Sequence, residues 1–144
     1  MDKFLEAQND EFAGYQQALE EITRGLKVSH WIWYIFPQIQ GLGSSATCRK
    51  YALSSAREAA RYLNHPTLGK RLIEITRALL THKGKSPESI LGYIDALKVC
   101  SCMTLFDYVC PDSVFAEVLD AFYEGQRCEK TLDSFFGCLA GMQS

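Results

Sequence analysis

The stretch from residue 66 to residue 80, PTLGKRLIEITRALL, gives the clearest indication of the fold class. Its apolar residues recur at three- and four-residue steps, as they do on one face of a helix. The residues of this stripe are Leu68, Leu72, Ile75 and Leu79. Pro66 suits the start of the helix, because the first turn leaves its backbone N–H groups unpaired and proline has none. The spacing therefore predicts a helix that reaches about Leu80.

The N-terminal region carries a second stripe, and its spacing predicts one long helix. The stripe consists of Phe4, Gln8, Phe12, Tyr15, Leu19 and Ile22. We expect this helix to end near Gly25, because glycine is the residue that most often terminates a helix in the left-handed conformation.

Capping residues predict the starts of the shorter helices. Ser55, followed by Glu58 three residues later, forms a capping box for Ala56–Leu63. The other predicted helices are Ala46–Tyr51 after Ser44 and Ser45, a short turn after Ser86-Pro87, Asp95 to about Val109, one capped by Asp112 and ended by Gly125, and Glu129–Leu139. Few segments alternate as strands do, and neither a repeat nor a linker is evident. We expect one all-α domain over residues 1–144, a bundle of about six to eight helices with little or no sheet.

The composition is that of an ordinary globular domain and argues against several classes of protein. Hydrophobic residues make up 47% and charged residues 22% of the chain, close to the average for folded domains. A net charge of −2 predicts no general affinity for nucleic acid, which requires clustered basic residues. No run approaches the roughly 18 apolar residues of a membrane span, and the N-terminus has no signal pattern. A cytoplasmic location with no membrane association is expected.

The chain contains six cysteines, Cys48, Cys100, Cys102, Cys110, Cys128 and Cys138. It is long and apolar enough to fold without a disulfide scaffold. A structural zinc site needs two closely spaced ligand pairs, whereas only Cys100 and Cys102 are close here. Free thiols are expected, with no metal and no cofactor.

The segment from Lys27 to Ser45, KVSHWIWYIFPQIQGLGSS, has the most unusual composition in the chain. Trp31 and Trp33 are two residues apart, so in a helix their side chains point roughly 200° apart and only one of them faces the core. A tryptophan next to Lys27 and His30 is suited to stack on a flat anionic ligand and to neutralise its charge. The alternative is that both tryptophans fill the core.

Histidines are candidates for ligand contact or proton transfer, because the imidazole group titrates near neutral pH. His30 lies among a lysine, a serine and two tryptophans. His65 precedes Pro66 in a turn, where helix capping is the alternative role.

A polar stripe interrupts the otherwise apolar helix from Asp95 to Val109. Asp95, Lys98 and Ser101 are spaced three residues apart and share one helix face. Such a stripe between apolar residues favours a cleft wall, although a solvated ion pair is the commoner arrangement. Arg71 would add a second cation.

These residues fall into blocks that resemble the domain of unknown function 1810 family over nearly the whole chain. The blocks are Gly25-x-Lys27-x-Ser29-His30-Trp31-x-Trp33-x-x-Phe36-Pro37-Gln38, Gly41-Leu42-Gly43-x-Ser45, Tyr62-Leu63-x-His65-Pro66-x-Leu68-Gly69-x-Arg71-Leu72 and Asp95-x-x-Lys98-x-x-Ser101-x-x-Thr104-Leu105-Phe106. The resemblance implies a multihelical fold and no particular activity. It also implies an acidic residue three positions after Gly125, where this chain has Cys128.

The leading hypothesis is a pocket formed where the Lys27–Ser45 segment meets the helices that start at Pro66 and Asp95. It would bind a small anionic, nucleotide-like ligand, such as an ADP-ribose or NAD derivative. The predicted ligand-binding residues are Lys27, Trp31, Trp33, Gln38, His65, Arg71 and Lys98. His30 and Asp95 are the predicted proton-transfer residues if the protein is an enzyme, a question that the sequence leaves open.

The main alternative is a non-catalytic helical module that docks a protein partner through an exposed tryptophan. A third reading assigns the aromatic segment to the core and the polar groups to caps and ion pairs.

Overall fold

The structure, a computed structural model, describes residues 1–135, and these residues form ten helices. The helices are α1 (Asp2–Gln8), α2 (Tyr15–Arg24), α3 (Ile32–Ile35), α4 (Ala46–Tyr51), α5 (Ala56–Asn64), α6 (Leu68–Leu80), α7 (Pro87–Leu91), α8 (Tyr93–Val109), α9 (Val114–Tyr123) and α10 (residues 129–135). The all-α class is confirmed, since the described part of the chain has only two isolated β-bridges. The helix count exceeds the six to eight expected. The predicted continuation of the last helix, 136–139, lies outside the described residues.

The predicted long first helix is wrong, because α1 and α2 are separated by a turn at residues 9–14. The Asp10 carboxylate accepts hydrogen bonds from the backbone N–H groups of Phe12 at 2.8 Å and Ala13 at 3.1 Å. This local turn competes with helical hydrogen bonding. Gly14 follows, where an added Cβ would lie 2.2 Å from the Asp10 carbonyl oxygen. Phe12, which the stripe placed inward, is 83% exposed.

The serine caps are confirmed at Ser45, Ser55 and Ser86, where each hydroxyl accepts a hydrogen bond from the N–H three residues later. The cap predicted at Asp112 is wrong. Helix α9 starts after Ser113, and Asp112 has a left-handed backbone with φ of 58°. The Ser113 hydroxyl makes no capping hydrogen bond to α9 and donates instead to the Cys110 carbonyl at 2.8 Å.

Helix α8 lies at the centre of the bundle and packs against α5, α7 and α9. Its buried residues are distributed around the whole helix, as expected for a helix enclosed by others. The predicted stripe of α6 is buried and faces α2, α5 and α9. No described helix is both long and apolar enough to cross a membrane.

The Lys27–Ser45 segment contains one helical turn, α3, and backbone hydrogen bonds join it to the rest of the chain at two places. The Lys27 N–H donates to the Ile90 carbonyl at 2.7 Å. Further along, the Leu53 N–H donates to the Gln38 carbonyl and the Gln40 N–H donates to the Leu53 carbonyl, both at 2.8 Å. These two bonds form the bridge at Ile39. They fix Gln38 at the base of the loop that carries α4.

Candidate functional site

Two lysines share one carboxylate at the start of α8. The Lys27 Nζ lies 2.8 Å from Asp95 Oδ2, and the Lys98 Nζ lies 3.3 Å from Asp95 Oδ1. The Lys27 side chain is only 6% exposed, and its ammonium also donates to the Ser29 carbonyl at 2.6 Å. Asp95 lies in the first turn of α8, where the helix dipole favours a negative charge. One carboxylate between two ammonium groups leaves the group with a net positive charge.

Each of these lysines lies over the ring of one tryptophan. The Lys27 Nζ is 4.8 Å from the Trp31 ring centroid, and the Lys98 Nζ is 4.2 Å from the Trp33 ring centroid. Trp31 is fully buried, whereas Trp33 is half-buried. The two side chains therefore differ in environment, although Trp31 precedes α3, so that helical spacing does not apply to it. The core position of Trp31 closes it to a ligand.

Glu21 fixes the start of the Lys27–Ser45 segment, and no pattern in the sequence predicted this role. Its Oε1 accepts hydrogen bonds from the N–H groups of Val28 (2.7 Å) and Ser29 (2.8 Å) and from the Trp31 indole (3.1 Å). Burial alone would raise the pKa of this carboxyl, but hydrogen bonds from Ser29, Gln17 and Val28 outweigh it and lower the pKa to about 2. Glu21 is thus a buried anion that orients residues 28–31. Nothing in the local sequence distinguishes it from its neighbour Glu20, which is exposed.

A cleft of about 720 Å³ lies beside Lys98, between α8, the end of α9 and residues 124–130. Its apolar wall consists of Leu42, Ile94, Leu97, Phe122 and Tyr123. Its charged groups are Lys98, Arg127, Lys130, Glu124 and Glu129, and Gln38, Ser101, Cys100 and Cys128 supply further polar or thiol groups. The predicted polar stripe of α8 thus contributes Lys98 and Ser101 to the cleft.

Gln38 lines the cleft, and its side-chain amide is buried without a hydrogen-bond partner in the described part of the chain. The residue is 6% exposed, and the atom without a partner is Nε2. Burying an amide donor without an acceptor costs about 1–3 kcal/mol. An acceptor that entered the cleft and reached this amide would remove that cost.

The structure does not bring the remaining predicted residues to this cleft. The His65 Nδ1 accepts from the N–H groups of Thr67 and Leu68 and caps α6, the alternative role considered for it. Arg71 donates to the side chains of Gln8 and Asn9, both at 3.2 Å, and so holds the turn after α1.

His30 is exposed, and its carbonyl accepts from the Tyr34 hydroxyl at 3.3 Å. No hydrogen bond or ion pair in the described chain joins it to Asp95. The pocket was expected against the helix from Pro66. Instead, the cleft is bounded by residues 122–130, because α6 packs on α2, α5 and α9 and its Arg71 is engaged with the N-terminal turn.

Two thiols on the cleft wall differ in their surroundings. Burial raises the pKa of the Cys100 thiol to about 11. Burial would also raise the pKa of Cys128, but hydrogen bonds from Ser101 and from Thr131 and Lys130 outweigh it, and the pKa is lowered. The sequence marked Cys128 only as a departure from the family pattern. Among residues 1–135, no three His, Cys, Asp or Glu residues are grouped so as to hold a metal ion.

Comparison with known proteins shows what the chain is related to. No curated protein matches it. A crystal structure at 1.38 Å of the conserved hypothetical protein Rv1873 from Mycobacterium tuberculosis is similar, with 39% sequence identity and a TM-score of 0.86. The similarity covers 91% of this chain and 92% of that one. The family described as "Protein of unknown function (DUF1810)" matches residues 1–135, and the chain belongs to that family.

Proposed function

We propose that the protein binds a small anionic ligand with an apolar part, of the nucleotide type, in the cleft between α8, α9 and residues 124–130. The observation that carries the proposal is the cleft itself, which is lined by Lys98 and by Gln38, whose buried amide nitrogen has no partner among residues 1–135. Its volume is within the range of about 300–1,000 Å³ that is usual for small-molecule sites. Its apolar residues offer a surface for a ring or chain.

The side chains that line the cleft carry one excess positive charge, which their ion-pair partners outside the lining offset. Three cations, Lys98, Arg127 and Lys130, face two anions, Glu124 and Glu129, which leaves one positive charge. Arg127 is in addition paired with Asp107 at 3.2 Å, and Lys98 shares Asp95 with Lys27. The ligand would therefore carry a single compact anionic group, with Lys98 and Lys130 as its main partners, instead of a long polyphosphate.

We assign the ring-stacking role to other aromatic residues instead of the tryptophans. Trp31 is buried, and one side of Trp33 is occupied by the Lys98 ammonium. Phe122 and Tyr123 are the aromatic residues of the cleft. The Tyr123 hydroxyl donates to the Ala96 carbonyl at 2.6 Å, which fixes the orientation of its ring.

Thermal unfolding in the presence of single compounds tests the proposal. The panel contains AMP, NAD⁺, ADP-ribose and small carboxylates and phosphates, with the uncharged nucleoside adenosine for comparison. A ligand at 100 times its Kd stabilises the folded state by about 2.7 kcal/mol. Loss of one charge-assisted hydrogen bond weakens binding about tenfold, so that stabilisation falls to about 1.4 kcal/mol in Lys98→Ala or Lys130→Ala.

Lys83→Ala is the matched control, because Lys83 is an exposed lysine outside the cleft. The proposal is wrong if no anion in the panel stabilises the wild type, or if one stabilises all three lysine variants as much as the wild type. The protein-docking alternative stays a prediction. Its exposed apolar candidates would be Tyr93, Ile94 and Leu97 at the start of α8, not the tryptophans.

A further inference from the structure

Cys128 occupies a defined position at the wall of the cleft, immediately before α10. The Leu132 N–H donates to the Cys128 carbonyl at 3.2 Å, so Cys128 is the N-cap residue of that helix. The Ser101 Oγ lies 3.2 Å from both the Cys128 Sγ and the Leu97 carbonyl oxygen, so its single proton has these two acceptors available. The Cys128 N–H donates to the Thr104 hydroxyl at 2.9 Å. Ser101 and Thr104, both on α8, thus contact the side chain and the backbone of Cys128 respectively.

This environment favours the thiolate form of Cys128. A hydroxyl donor and the N–H groups at the start of a helix both stabilise negative charge on sulfur. These hydrogen bonds outweigh burial and lower the pKa of the Cys128 thiol. Cys100 lies on the same cleft wall, yet burial raises the pKa of its thiol to about 11. The two cysteines therefore form a natural pair for comparison.

Gln38, which lines the same cleft as Cys128, supplies a separate indication that a molecule binds in this cleft. It is 6% exposed, and its Nε2 has no hydrogen-bond partner among the described residues. Buried amide groups in folded proteins almost always have a partner. A bound molecule that supplied an acceptor would give this buried donor a partner.

We propose that Cys128 is a nucleophile that forms a covalent bond with an electrophilic carbon of a ligand held in the cleft. This inference rests on the proposed function, and it names the ligand class as a small anionic compound whose carbon carries a leaving group. The thiol first loses its proton to water. A lone pair of the thiolate then forms the S–C bond while the bond from that carbon to the leaving group breaks, and the leaving group departs with both bonding electrons.

The roles of the neighbouring residues follow from their positions. Ser101 is a positioning residue that stabilises the thiolate by donating a hydrogen bond to it. Lys98 and Lys130 would attract an anionic electrophile in preference to a neutral one.

Alkylation rates at individual cysteines of the full-length protein test the proposal. Iodoacetamide is the neutral probe, and the thioether formed at each site is quantified by peptide mass spectrometry at pH 7. After allowance for the lower intrinsic reactivity of a more acidic thiol, we expect Cys128 to react at least about tenfold faster than Cys100. Cys128 should also react faster than Cys110, whose thiol lies outside the cleft. Cys128→Ser removes the fast site and keeps a side chain that can cap α10.

The pH profile separates an activated thiol from one that is merely accessible. In Ser101→Ala, the rate at Cys128 should fall at pH 7, and the midpoint of its pH profile should rise. Ser89→Ala, which alters a hydroxyl bonded within the α7 turn, should leave both unchanged. The proposal is overturned if Cys128 reacts no faster than Cys110, or if its pH profile is the same in Ser101→Ala as in the wild type.

Iodoacetate, the anionic counterpart, tests the binding of anions separately. The ratio of the iodoacetate rate to the iodoacetamide rate should be higher at Cys128 than at Cys110, and Lys98→Ala should lower it. A fast reaction at Cys128 with the same ratio as Cys110 supports the nucleophile and counts against the anion site. A raised ratio without a fast reaction supports the anion site and overturns the nucleophile.

Discussion

Replacement of Glu21 by glutamine should destabilise the protein in a pH-dependent manner. The side chain is 0% exposed and accepts three hydrogen bonds at one carboxylate oxygen and one, from Gln17 at 2.8 Å, at the other. Glutamine keeps an acceptor oxygen of similar size but removes the negative charge. The difference in the free energy of unfolding between wild type and Glu21→Gln therefore measures mainly the contribution of the charged form of the carboxyl.

The magnitude follows from the pKa of this carboxyl. Hydrogen bonding that outweighs burial lowers the pKa from 4.5 to about 2, and the full difference corresponds to about 3 kcal/mol of stability. Val28, one of the donors, is 70% exposed, so solvent screens part of the interaction. We expect Glu21→Gln to lower the free energy of unfolding by about 2 kcal/mol at pH 7.

The sign of the pH dependence is fixed because the folded-state pKa lies below the unfolded one. The stabilisation is complete above the unfolded value of about 4.5 and is lost as the pH falls towards 2. Urea unfolding of wild type and variant at pH 7, 5, 4 and 3 measures the difference between their free energies of unfolding, the gap, at each pH. Glu20→Gln is the matched control, because Glu20 is exposed on the same helix. A gap below about 0.5 kcal/mol at pH 7, the usual range for surface changes, would refute the reasoning, as would a gap that is unchanged at pH 3.

Two further substitutions test how the fold is held. Arg71→Ala should lower the free energy of unfolding by about 1–2 kcal/mol, because it removes two hydrogen bonds to the turn after α1. Hydrogen exchange at residues 9–14 should become faster in Arg71→Ala but not in the exposed-site control Arg77→Ala, and equal exchange in both would contradict this role. Gly69→Ala should cost more than about 3 kcal/mol in chemical denaturation, since an added Cβ would lie 1.8 Å from the Leu63 carbonyl oxygen. A well-folded Gly69→Ala of near wild-type stability would show that α5 and α6 can separate.

The helices that could be predicted from the sequence are those whose ends depend on neighbouring residues. Ser55 and Ser86 cap through hydrogen bonds that span three residues, so the printed sequence contains both partners. The turn at residues 9–14 was missed because Phe12 has the right spacing for a buried stripe, and periodicity does not register that Asp10 bonds to the backbone instead. At residues 9–14, local hydrogen bonding to Asp10 therefore outweighs the helical spacing of the apolar residues.

The candidate site was predictable to a smaller extent. Asp95 and Lys98 meet because they are three residues apart on one helix. The contact from Lys27 to Asp95 joins residues far apart in sequence, and only the family resemblance placed them together. Glu21 is held by hydrogen bonds from Val28, Ser29 and Trp31, and Cys128 is held by its contact with Ser101. Those contacts depend on how α2, α8 and the start of α10 pack, which no periodicity encodes.

The placement of one lysine over each tryptophan gives the protein two built-in optical probes. The indole of Trp31 donates to Glu21 within the core, so its emission should follow unfolding and the acid titration of that carboxyl. Trp33 is half-buried beneath the Lys98 ammonium, and an anion that drew this lysine into the cleft would change the emission of Trp33 alone. With Trp31→Phe and Trp33→Phe proteins, fluorescence can distinguish occupancy of the cleft from a change in the core, with no external label.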